Sequence, residues 1–174
     1  QSPAGFAMIA WIEHLNDRVL QRYATRLSGG HPEPFYRAPQ KEQYAEVQFT
    51  LDYERSALHE LAHWCIAGAA RRRLDDYGYW YEPDGRTHEQ QRLFYEVEIR
   101  PQAIEKYFCT ALGIPFEVSA DNLANFPEDG IDAFSTRVHG QYLNYLSAGF
   151  PQRATEIHDC LQRWHRAQAD RSAA

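Results

Sequence analysis

Apolar and polar positions along the chain mark out its elements before any single residue is weighed. Met8, Ile12, Leu15, Val19, Tyr23 and Leu27 recur at intervals of three and four residues, the stripe of an amphipathic helix that Gly29 and Gly30 then stop. Residues 31–41 hold three prolines among mixed polar neighbours and read as an irregular connection, after which the alternation over 44–50 predicts a short strand. The stretch 56–70 is small or apolar on nearly every side and predicts a buried helix. Asp52 or Ser56 caps it in this reading, and it ends near Leu74, where Arg71, Arg72 and Arg73 suit the negative end of the helix dipole.

Residues 75–86 are dense in aromatic and acidic groups, with Pro83, Gly78 and Gly85 as turn formers, and read as a loop. A short helix follows over 89–95, and Pro101 opens another, with Ile104, Phe108 and Leu112 on one face and Gly113 at its end. Residues 116–119 predict a second short strand and 121–129 a loop; helices over 132–147 and 151–167, parted by Gly149, complete the chain. The sum is a mostly helical α+β fold with a small sheet, one domain over 1–174.

Composition narrows the function classes. Hydrophobic residues make up 44% and aromatic residues 14%, which is globular rather than disordered. A net charge of −6 argues against a broad nucleic-acid surface, which needs cations to neutralise phosphates. Three cysteines, Cys65, Cys109 and Cys160, are an odd number without Cys-x-x-Cys spacing, so a reducing cytoplasm is expected and a disulfide framework is not. The apolar run 6–12 lacks a basic leader and is far too short to span a bilayer, so no membrane partner is expected.

The chemistry concentrates in His59-Glu60-Leu61-Ala62-His63. Positions i and i+4 share one helix face, so both imidazoles can point at one ion. With eight histidines in 174 residues, a chance match to this pattern is expected in roughly a few per cent of such chains. The bland alternative is a pair of core histidines satisfied by hydrogen bonds. Cys65, two residues past His63, faces another side of the helix and reads as core.

A completing carboxylate is sought in 94–101, where acids interrupt an apolar run. Glu96 and Glu98 share one side if the segment is extended, and Glu105 on the following helix is a third candidate. Salt bridges to Arg92 or Arg100 are the structural alternative for Glu98. Two histidines and one carboxylate then support two enzymes: a zinc peptidase with Glu60 as general base, or a ferrous-iron site that uses dioxygen to hydroxylate a C–H bond. A structural metal site in an interaction module is a third reading, disfavoured because three protein ligands leave the shell open.

Across 56–125 the chain resembles the bacterial elongation factor P hydroxylases. The resemblance is carried by 59–68, then Tyr77-Gly78-Tyr79-Trp80-Tyr81 with Pro83-Asp84-Gly85-Arg86, Val97-Glu98, Pro101-Gln102-Ala103, Phe108-Cys109, Val118-Ser119 and Asp121-Asn122-Leu123. It implies a non-haem iron monooxygenase that hydroxylates the lysine of elongation factor P after a β-lysyl group has been attached, with Fe(II) as cofactor and dioxygen as cosubstrate. It also implies Glu98 as the carboxylate ligand beside His59 and His63, and Glu60 as a hydrogen-bonding or proton-handling neighbour. Asp75, Asp76, Asp84 and Asp121 are expected to supply countercharge to a cationic substrate, Arg71 to Arg73 to meet the protein partner, and His139 to stand behind the ligands.

Overall fold

The computed structural model describes residues 9–79, 87–119 and 130–174. Ile12, Leu15 and Asn16 turn inward from α1 (Ile12–Arg18), which stops well short of the predicted stripe. A single 3-10 turn (Leu20–Tyr23) follows, and Ala24 takes a left-handed φ of 48° before the chain enters β1 (Thr25–His31). Leu27 fits a helical stripe and a strand's alternation equally well, and it is the sheet that claims it. β3 (Ala45–Thr50) lies parallel to β1 with Leu27 opposite Val47, and β2 (Phe35–Arg37), inside the predicted irregular connection, pairs antiparallel on its other side. The free edge of β1 is closed locally: Leu27 N–H donates to Asn16 Oδ1 at 2.8 Å, and Asn16 Nδ2 donates back to the Leu27 carbonyl at 3.1 Å.

Gly29 lies within this strand instead of ending a helix. A Cβ there would sit 2.4 Å from Cζ of Phe49, so the missing side chain lets that ring close over β1. Ala45, Val47 and Phe49 alternate inward on β3, as the 44–50 pattern predicts.

The metal-clamp segment is α2 (Glu54–Ile66), eight residues shorter at its C-terminal end than predicted. Neither Asp52 nor Ser56 caps it; Ser56 Oγ instead accepts from Thr50 N–H at 3.1 Å. Ala67 leaves helical geometry at ψ 130°, and Arg71–Arg73 form their own 3-10 turn. From there the Arg72 guanidinium donates to the Ala67 carbonyl, so the arginine run still serves the end of α2 through a side chain.

The two helices expected around 89–112 are one, α3 (His88–Leu112), opened by a reciprocal Thr87–Gln90 capping box and closed by Gly113 at φ 67°. Pro101 sits inside it and has no N–H to offer the carbonyl of Val97, four residues back. Packing on both halves carries the helix through. Ile104, Phe108 and Leu112 enter the main core with α1, the sheet, α2 and α5 (Gln152–Ala173), while Tyr95, Ile99 and Ala103 build a second cluster with Phe134 and Val138 of α4 (Gly130–Ala148).

Residues 116–119 are not a strand. Side chains take the ladder's place: Gln102 bonds both the carbonyl (2.8 Å) and the N–H (3.0 Å) of Ser119, and Arg55 donates to the Glu117 carbonyl at 2.9 Å. Cys65, Cys109 and Cys160 are free and buried. No helix among the described residues is long and apolar enough to cross a membrane.

Candidate metal centre

Helical spacing places His59 and His63 one above the other on α2, and their Nε2 atoms approach to 3.1 Å. Packing of α3 against α2 brings Glu98 to the same point, with Oε2 3.4 Å from His59 Nε2 and Oε1 3.0 Å from His63 Nε2. Ligand atoms of these three residues all lie within 4.8 Å of one another, and among the described residues they are the group that could hold a metal ion. Two imidazole nitrogens face each other here across carboxylate oxygens. Four atoms with lone pairs converging on one point need a positive charge between them, which a divalent cation supplies, so the residues fit a metal.

The outer partners are as specific as the inner ones. His59 Nδ1 donates to Glu105 Oε1 at 2.7 Å, and Glu105 Oε2 accepts from Arg55 Nε at 2.8 Å. With its proton placed on Nδ1, His59 turns Nε2 toward Glu98 as an available ligand. Arg55 is itself held 5.0 Å above the Phe116 ring. Glu98 Oε2 accepts from Gln102 Nε2 at 3.3 Å, one turn further along α3.

Burial alone would lower the His59 pKa, but the Glu105 hydrogen bond and the charges of Glu98, Glu105 and Glu60 outweigh it and push it up to about 10. Burial raises Glu98, yet hydrogen bonding to His63, the two imidazoles and Gln102 bring it down to about 2. In the metal-free protein a proton thus holds the place that suits a cation. Glu98 is 7% exposed at its side chain, whereas His59 and His63 are 24% and 23% exposed, so the group is open on the imidazole side. The partly buried Glu60 side chain makes no hydrogen bond among the described residues; burial raises its carboxyl, with the Glu98 and Asp76 charges adding and both histidines opposing.

The other candidate residues fall elsewhere. Because 94–101 is helical, Glu96 points away from Glu98 and is paired with Arg137 on α4, with one contact at 2.8 Å. Glu105 reaches the opposite nitrogen of His59 and stands behind it. Asp75 and Asp76 accept from Ala38 N–H and Tyr36 N–H, each at 2.9 Å, and so brace β2 instead of offering free countercharge. Asp84 and Asp121 lie outside the described residues. Lys106 Nζ lies 2.7 Å from His139 Nδ1, so that histidine stands with Lys106 rather than behind the ligands. Gln102 had no site role in the sequence reading beyond its place in the family resemblance, and Arg55 was not singled out. Glu98, Gln102 and Glu105 fall at i, i+4 and i+7, a single helical face that becomes visible once Pro101 is allowed inside one helix.

A mostly helical α+β fold that presents two helix-borne imidazoles and a buried carboxylate to an open side defines a class of candidate metal proteins. Comparison narrows it: the family model for elongation factor P hydroxylase matches residues 15–173. The elongation factor P lysine hydroxylase of Haemophilus influenzae is 42% identical over 160 residues, which cover 91% of this chain and 89% of that protein. This chain therefore belongs to the elongation factor P hydroxylase family.

Proposed function

We propose that this chain hydroxylates the lysine side chain of elongation factor P after β-lysylation, using ferrous iron held by His59, His63 and Glu98 and dioxygen as cosubstrate. The observation that carries the reading is the convergence of those three ligand atoms within 4.8 Å in a chain of this family. When bound, the iron would supply activation of dioxygen at coordination positions that the protein leaves open. The chain's own residues prepare that position: Glu105 fixes the tautomer of His59, Gln102 orients Glu98, and Glu60 holds or releases a proton at its carboxyl beside the histidines.

The protein partner is read as docking near the 3-10 turn Arg71–Arg73. Arg71 and Arg72 are engaged internally, whereas Arg73 is exposed and its side chain makes no hydrogen bond or ion pair among the described residues. The zinc-peptidase alternative finds no support in the family match. The whole of 1–174 is read as one hydroxylase domain, acting in the cytoplasm without nucleic acid or membrane.

Anaerobic purification with metal analysis, followed by mass measurement of β-lysylated elongation factor P in air, tests the reading. Stoichiometric iron and oxygen-dependent gain of one oxygen atom are expected; zinc with peptide cleavage, or no gain of oxygen by iron-loaded protein, would overturn it.

A further inference from the structure

A cavity lies away from the triad, between α1 with its following 3-10 turn and the later turns of α5. It measures about 840 Å³, within the size range of small-ligand sites, and His14, Arg18, Arg22, Arg163 and Arg171 supply its charged lining. No carboxylate is among the described lining residues. Helical spacing gathers the cations: His14 and Arg18 are one turn apart on α1, while Arg163 and Arg171 share one face of α5 with Trp164, Ala167 and Gln168. Glu98 and Gly113 are separated by roughly 22 Å of α3 at about 1.5 Å per residue, and a Cβ on Gly113 would lie 3.3 Å from Nε2 of His165, the residue after Trp164. The cavity is therefore beyond contact with the atoms that react at the metal centre.

The charges have little to balance them. The four arginines are exposed, the side chains of Arg18, Arg163 and Arg171 make no hydrogen bond or ion pair among the described residues, and Arg22 reaches Glu156 only at 3.8 Å. Burial lowers the His14 pKa, and the Arg18 and Arg163 charges lower it further against the opposing charge of Asp17, so this imidazole registers the local excess of positive charge. The last residue that α5 buries is Leu161, so core packing does not call for the cationic stripe that follows. Like charges gathered around one cavity repel, and a bound polyanion relieves that cost.

The uncharged lining narrows the ligand. Trp164 is partly buried against the main core, yet its indole N–H has no hydrogen-bond partner and its ring no aromatic partner among the described residues; the Gln168 side chain makes no hydrogen bond among them either. Guanidinium forks match phosphate oxygens, an indole takes a flat ring against it, and an amide pairs with the donors and acceptors of a base edge. A nucleic-acid strand fits less well, because Glu13, Asp17, Asp159 and Asp170 interrupt the cations along the same two helices. We propose that the cavity between α1 and α5 binds a nucleoside polyphosphate, with its phosphates on Arg18, Arg163 and Arg171 and its base against Trp164 and Gln168. This site stands independently of the hydroxylase reading.

Calorimetric titration of the ferrous-loaded enzyme without oxygen, with iron content measured before and after, compares magnesium ATP and magnesium GTP with adenosine, guanosine and tripolyphosphate. At least one nucleotide is expected to bind about tenfold more tightly than tripolyphosphate, and neither nucleoside to saturate. Arg18→Gln combined with Arg163→Gln should weaken that nucleotide at least tenfold, with iron content unchanged and a melting temperature equal to or above wild type, because like charges have been removed. Trp164→Leu should bring nucleotide affinity down to that of tripolyphosphate. Should it fail to fold, Ala167→Phe, at an exposed position, replaces it: more than tenfold weaker nucleotide binding is expected, and unaltered binding is fatal to the idea. No saturation by millimolar nucleotide, tripolyphosphate binding as tightly as either nucleotide, or unchanged affinity in the double arginine variant overturns the proposal. Binding of a duplex oligonucleotide without binding of either nucleotide assigns this face to nucleic acid and overturns it as well. Nucleotide binding without hydroxylation sinks the hydroxylase reading alone, and hydroxylation without nucleotide binding sinks this inference alone.

Discussion

Glu105 accepts the Nδ1 proton of His59 at 2.7 Å while pairing through its other oxygen with Arg55, so a carboxylate on α3 decides which nitrogen of a histidine on α2 is presented as a ligand. The Glu105 side chain is 2% exposed, which makes the pair insensitive to salt and costly to break from one side.

Glu105→Gln keeps the shape but removes the charge that anchors the ring. Metal affinity is expected to fall by about 10–100-fold, the usual scale for loss of such a partner. Titration of the apoprotein with ferrous iron checks it; an unchanged dissociation constant would remove Glu105 from the centre.

His59→Ala and His63→Ala should each abolish metal binding and hydroxylation together, and Glu98→Ala should weaken both. Glu96→Ala should leave metal content intact, since that side chain is exposed and tied to Arg137. If Glu98→Ala retains full occupancy while Glu96→Ala does not, the carboxylate has been misassigned.

The metal-free protein should show a defined pH window. His59 has a folded pKa of about 10 against an ordinary 6.5, so its contribution is complete below pH 6.5 and lost as pH rises toward 10. Glu98 has a folded pKa of about 2 against an ordinary 4.5, so its contribution is complete above pH 4.5 and lost as pH falls toward 2. The site's contribution to the melting temperature is therefore greatest between pH 4.5 and 6.5, and in His59→Gln the alkaline decline should flatten. Metal binding must displace the His59 proton and should strengthen as pH rises, with proton release measurable by calorimetry in two buffers.

Two glycine substitutions should act in opposite directions. Gly29→Ala drives a methyl group to 2.4 Å from the Phe49 ring and is expected to cost about 1–3 kcal/mol. Gly140→Ala, within α4 and with nothing within 4 Å of the added carbon, should stabilise by about 0.5–1 kcal/mol. Chemical denaturation of both variants decides; a neutral Gly29→Ala would mean that Phe49 moves aside freely.

Where a local rule had one outcome, the elements were legible in the sequence. The alternation at Val47 and Phe49, the small apolar faces of α2 and the break at Gly149 all read correctly. Errors arose where a local rule allowed more than one outcome and tertiary packing chose the other. Leu27 matched a helical stripe although it belongs to β1, and Pro101 looked like a helix start because its missing N–H gives no hint that packing on both sides will carry the helix past it.

The sequence by itself determined that two imidazoles share a helix face, because a spacing of four residues is a property of the helix alone, and the family resemblance pointed to Glu98. Only the tertiary structure decided what meets them. The crossing of α2 and α3 sets Glu98 between the rings, sends Glu105 to the far nitrogen of His59 and leaves Glu96 to Arg137, because contacts between helices depend on which faces the core turns inward and not on distance along the chain.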